Sequence, residues 1–69
     1  MLIEIKGCVD NEDGDAVWVP REEAAYFIVT CGDPGNMNWL ADFADEQHAV
    51  LFAHSLANML GMIPISPIQ

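Results

Sequence analysis

Positive charge is almost missing from this chain. Only Lys6 and Arg21 are basic among 69 residues, against eleven acids, for a formal net charge of −9. Such a balance opposes direct binding to nucleic acid or to an anionic membrane, since both are polyanions, and favours a basic protein surface as partner. Cysteine is scarce as well. Cys8 and Cys31 stand far apart with no CxxC pattern and no partner ligands at metal spacing, and small secreted scaffolds usually carry more disulfides than two cysteines allow, so two reduced, half-buried thiols are the expectation. No apolar run is long enough to span a bilayer. Met1-Leu2-Ile3-Glu4 lacks the basic start and apolar stretch of a secretory leader, so a cytoplasmic protein is expected.

Catalytic motifs are missing too. Ser55 and Ser66 have no GxSxG context. His48 and His54 lie six apart, so on a helix they point roughly 120° from each other and cannot share a metal as HxxxH pairs do. The run DNEDGD (Asp10–Asp15) has the look of a calcium loop. An EF-hand register with Gly14 at the sixth position, however, puts Val9 at the first ligand position and Pro20 at the last, and neither can serve. Carboxylates in solvated turns also lack the burial that raises a pKa for acid catalysis. No catalytic residue, no metal and no cofactor is expected, and an enzyme is not expected.

Apolar material, in contrast, is plentiful at 52% of residues, which separates this chain from the disordered acidic class. A chain this short buries only about 60% of its unfolded surface, so residues 1–69 are read as one small domain. In LIEIKGCV (2–9), Ile3, Ile5 and Val9 alternate with Glu4 and Lys6, the period of a half-buried strand, with Gly7 a candidate bulge. Ala16–Val19 is short and β-prone until Pro20 ends it, and Pro20–Glu23 fits a turn or one helical turn. AAYFIVTC (24–31) is the strongest strand, and Asp33-Pro34-Gly35-Asn36 suits a type II turn leading into a return strand, MNWLADF (37–43). An unbroken register from that turn pairs Thr30 with Trp39, Ile28 with Ala41 and Tyr26 with Phe43. Phe27, Val29, Cys31 and Leu40 then share the other face, so both faces are more apolar than one helix covers.

A helix follows, with Asp45 as N-cap, Glu46 at the positive end of its dipole and Gly61 just past its C-terminus. Ala49, Phe52, Ala53, Leu56, Met59 and Leu60 form its apolar stripe. Residues 62–69 (MIPISPIQ) form an extended, Pro-containing tail. The expected fold is α+β: an antiparallel sheet of three to four strands with one C-terminal helix packed on one face.

All charged side chains lie in residues 1–46, and 47–69 hold no Asp, Glu, Lys or Arg. The acids cluster in turns: Asp10, Glu12, Asp13 and Asp15; Glu22 and Glu23; Asp33; then Asp42, Asp45 and Glu46. Simple alternation of strands would put the first loop and the Asp33 turn on one rim, with the other two clusters at the opposite end. Carboxylates spaced along a rim imitate backbone phosphates, although Asp, Asn and Gly are also what ordinary solvated turns use.

With DNEDGD, EE and DFADE beside the hairpin YFIVTCGDPGNMNWL, the chain resembles small phage-encoded anti-CRISPR proteins of the DNA-mimic kind. The resemblance lies in general character, and no residue is carried over by position. It implies non-catalytic inhibition, with the acids occupying a basic, nucleic-acid-handling site of a CRISPR surveillance complex. A competing expectation is an interaction or homodimeric assembly module, built on the uncharged helix face of Leu51, His54 and Asn58 together with the tail.

Overall fold

In the computed structural model, which describes residues 1–66, strands β1 (Leu2–Asp10), β2 (Ala16–Trp18), β3 (Tyr26–Asp33) and β4 (Asn36–Phe43) precede one helix, α1 (Glu46–Met59). A single 3₁₀ turn at Arg21–Glu23 links β2 to β3. The strands form one antiparallel sheet in the order β2-β1-β3-β4, so the expected α+β fold with its C-terminal helix is the one observed.

The two most buried strands, β1 and β3, take the sheet's centre and pair from Leu2↔Gly32 to Cys8↔Tyr26. β2 spans only three exposed residues before Pro20 removes a backbone donor, which confines it to an edge. Placing β1 beside β3 requires the 19–25 connection to cross β1. It does so at Gly7, whose carbonyl accepts from the Val19 amide while the Ala25 amide donates to the Cys8 carbonyl. A Cβ at position 7 would stand 2.8 Å from Ala24 Cβ and 3.3 Å from the Val19 carbonyl oxygen. Gly7 is therefore a crossing point and not the expected bulge, since the β1–β3 register runs through it unbroken.

The bulge lies in β4. The hairpin starts as expected, with Asp33↔Asn36 and Thr30↔Trp39, and Gly35 takes the positive φ (82°) that a type II turn requires there. The register then shifts at Leu40, so that Val29 faces Ala41, Ile28 faces Asp42 and Phe27 faces Phe43. The expected Ile28–Ala41 and Tyr26–Phe43 pairs do not form. A one-residue slip moves every following side chain to the other face. Without it Asp42 would enter the face that α1 covers and Phe43 would face solvent. With it Phe43 packs on the core, its ring centroid 5.4 Å from that of Phe52, and Asp42 is exposed. Leu40, the extra residue, is largely exposed instead of sharing a face with Phe27, Val29 and Cys31.

Helix α1 lies over Ile3, Ile5, Phe27, Val29 and Cys31, burying Ala49, Ala53 and Ala57 against them. Three alanines at intervals of four let the helix axis approach the sheet closely, with Val50, Phe52 and Leu56 along the flanks. Met59 and Leu60, expected in the apolar stripe, are exposed beyond the sheet's reach. At the N-terminus the Asp45 carboxylate accepts the His48 amide at 3.1 Å. At the C-terminus the Gly61 amide donates to the Asn58 carbonyl (3.3 Å) and the Met62 amide to the Ala57 carbonyl (2.6 Å), the paired bonds of a Schellman motif. The tail then docks instead of projecting. The Ile3 amide donates to the Pro64 carbonyl and the Ser66 amide to the Ile3 carbonyl, which sets Ile65 parallel to β1 just below β2. Ile63 and Ile65 pack on the core, and the remainder of the expected tail, 67–69, lies outside the described residues.

Two predictions follow from the crossing and the cap. Gly7→Ala lowers the unfolding free energy by about 1–3 kcal/mol, as overpacking does, and Ala24→Gly in the same chain restores part of the loss. Urea denaturation measures both, and an unchanged midpoint in Gly7→Ala contradicts the crossing. The bond from the His48 amide, foremost, holds the Asp45 carboxyl below its ordinary 3.8. A carboxyl with a lowered folded-state pKa stabilises the fold above its unfolded value, and the contribution vanishes as pH falls through the folded one. The gap in melting temperature between the native chain and Asp45→Ala is therefore present above about pH 4 and narrows below it.

Candidate functional site

Pairing β1 with β3 decides where the acids go. β2 and β3 run in the same direction, both antiparallel to β1, so the Asp10–Asp15 loop and the Asp33 hairpin lie at opposite ends of the sheet. Asp10 stands nine residue steps along β1 from the level of Asp33, about 30 Å at ~3.3 Å per step. The expected common rim of these two turns does not exist. The loop instead shares its half of the sheet with Asp42, next to last in β4, and with Asp45, the N-cap of α1. Glu22 and Glu23 sit on the crossover above Gly7, in the same half of the molecule.

Ion pairing sharpens this asymmetry. Glu4 meets Lys6 at 3.3 Å, Glu46 meets Arg21, and Asp33 meets the Met1 amino group at 2.9 Å. Among the described residues the other eight acids (Asp10, Glu12, Asp13, Asp15, Glu22, Glu23, Asp42 and Asp45) have no Lys or Arg within ion-pairing distance. All eight belong to the half that holds the first loop. Asp45 lies 2.8 Å from His48 Nδ1, a side chain that carries charge only when protonated.

The loop itself is organised by an amide. Asn11 Oδ1 accepts from the Asp13 and Asp15 amides at 2.9 Å each, while the Asn11 amide donates to the Asp15 carbonyl. With Asn11 turned inward as the anchor, Glu12, Asp13 and Asp15 are exposed. Among the described residues no three His, Cys, Asp or Glu side chains converge at metal-ligand spacing.

On the sheet face opposite α1, the sequence reading missed an aromatic surface. Trp18 and Tyr26 flank Cys8 in register, and Trp39 faces Thr30. Trp18 is 65% and Trp39 52% exposed, and among the described residues no element covers this face. Lys6 Nζ lies 4.9 Å from the Trp18 ring centroid, a cation–π contact. Higher on the same face, Asp10, Asp15, Ala16, Tyr26, Trp39 and Asp42 line a recess of about 540 Å³. The Tyr26 hydroxyl donates to Asp10 Oδ1 at 2.8 Å, and that bond above all pushes the phenol up to about 12. The signal was available in sequence: once Asp33 faces Asn36, Trp39 falls on the face of Thr30 and Tyr26.

Cys8 and Cys31 are free and buried on opposite faces of the sheet, and burial foremost pushes the Cys8 thiol up, away from the reactive thiolate. Leu51, His54 and Asn58 are exposed on the outer face of α1, Leu51 at 65%. No helix among the described residues is long and apolar enough to cross a membrane. Compared with protein-family models, curated proteins and solved structures, the chain matches none.

Tyr26 is the only tyrosine, so its ultraviolet titration reads this site alone. Its phenolate absorbance develops near pH 12 in the native chain. In Asp10→Asn it returns toward the ordinary value of about 10. Equal midpoints in the two proteins contradict the Tyr26–Asp10 bond.

Proposed function

We propose that this protein is a non-enzymatic inhibitor of the anti-CRISPR kind, which binds a basic, nucleic-acid-handling site of a CRISPR surveillance complex in place of DNA. The observation that carries the reading is the gathering of eight carboxylates without Lys or Arg partners into one half of the fold. A surface of this kind attracts a Lys- and Arg-lined groove over distances comparable to the Debye length, about 10 Å at 0.1 M salt. Its field also repels nucleic acid itself, so the partner is the protein that holds DNA and not the DNA. Inhibition then needs occupancy alone, and the site of action is the bacterial cytoplasm.

Competition between this protein and target DNA for a purified surveillance complex tests the reading. Affinity is expected to fall steeply with salt, and neutralising Asp10, Glu12, Asp13 and Asp15 together is expected to weaken it by at least about tenfold, from close charge pairs across the interface. Asp33→Asn, at the far end and beside the Met1 amino group, is expected to change it less than about twofold, as rim charges outside a contact do. Binding that is indifferent to salt, or equally sensitive at Asp33, contradicts DNA mimicry.

A second reading, homodimeric assembly through α1, is favoured by the exposure of Leu51 and of Met59, the latter at 81%. It predicts a dimer by light scattering that Leu51→Glu dissociates. The docking of Ile63 and Ile65 onto their own core removes part of the tail from that interface.

A further inference from the structure

We propose that the recess between Tyr26 and Trp39 is an arginine socket, which takes one guanidinium side chain of the basic partner. The proposal rests on the reading that the partner is a basic protein, and it names the contact at the centre of the interface.

The recess combines two features, exposed aromatic surface and carboxylates without cationic partners. Its lining includes two aromatic residues, Tyr26 and the half-exposed Trp39, together with three acids, Asp10, Asp15 and Asp42. Among the described residues none of these three carboxylates has a Lys or Arg partner. Asp10 spends one oxygen on the Tyr26 hydroxyl, which ties that side chain to the ring beside it and leaves its second oxygen as an acceptor. The volume of about 540 Å³ admits a long side chain with the backbone that bears it.

The chemistry selects among occupants. A single-stranded nucleic acid stacks its bases on exposed sheet aromatics, but here its phosphates would meet three carboxylates. A divalent cation would need ligands converging at short range, which the described residues do not provide. A second copy of this chain has no cation free for the recess, because Lys6 is held between Glu4 and Trp18 and Arg21 is held by Glu46. Between the two partner cations, lysine offers a compact point charge. Arginine offers a plane that stacks on an indole, with five N–H donors in a fork that reaches several carboxylates at once. A recess lined by an indole and three carboxylates together fits the second. Trp18 already carries a cation of the chain itself, which leaves Trp39 as the free aromatic of this face.

Oligo-arginine and oligo-lysine peptides of equal length, titrated into the native chain at low salt, test the proposal, with the two indole N–H resonances observed by NMR. Arginine peptide is expected to bind about tenfold tighter than lysine peptide and to move the Trp39 indole well beyond that of Trp18. Trp39→Ala, at an exposed position that leaves the core intact, is expected to abolish this preference while lysine-peptide binding persists, and Trp39→Phe to restore part of it. Equal binding of both peptides, a preference that survives Trp39→Ala, or a larger shift at Trp18 overturns the socket and leaves the acidic-surface reading standing. Absence of binding by either peptide overturns both.

Discussion

The antiparallel pairing of β1 with β3 is the constraint on which the other features of this molecule depend. It places β1 and β3 at the centre of the sheet, where Ile3, Ile5, Phe27 and Val29 are buried beneath α1. Burial of each such side chain contributes about 1.5–3 kcal/mol, more than any exposed ion pair on this surface. The same pairing sends the connection after β2 across β1, so close that a Cβ at position 7 would crowd Ala24 and the Val19 carbonyl. It also sets the direction of every other strand, and through direction the end at which each acidic turn emerges. Charge distribution is thus a consequence of where the core strands pair.

The bulge at Leu40 completes the arrangement. A regular β4 would carry Phe43 out of the core and Asp42 into it, leaving a carboxylate buried without a cation. The extra residue exchanges the two. Phe43 closes the core against Phe52, and Asp42 joins Asp10 and Asp15 around the recess on the open face. The bulge also distorts the outer edge of the sheet, where regular unpaired donors and acceptors would invite another strand. On the opposite side the tail fills the part of the β1 edge that β2 is too short to cover.

Much of this was legible in the residues. The alternation of Ile3 and Ile5 with Glu4 and Lys6, the Pro34-Gly35 turn, the Asp45 cap and Gly61 past the helix end each act locally, and each stands where the sequence puts it. Failures arose where a local pattern had to be combined with pairing at long range. Whether β3 joins β1 or β2 depends on comparing whole strands, so the acids were expected on the wrong rims. Gly7 reads as a bulge until the crossing chain above it is known. The register was right for four residue pairs from the turn and wrong beyond Leu40, although the need to keep Asp42 out of the core was already written in the alternation. The aromatic surface escaped notice because Trp18, Tyr26 and Trp39 come from three different strands.

The central claim is that the fold gathers its unneutralised acids at one end, and the surface potential tests it most directly. Amide relaxation enhancement by a cationic paramagnetic co-solute, divided by that from a neutral analogue of the same size, reports this potential residue by residue. The account predicts high ratios at residues 10–16, 22–23 and 42–46, and ratios near those of an uncharged surface around Asp33 and Asn36. Equal ratios at the two ends of the sheet, or a maximum at the Asp33 hairpin, would contradict it.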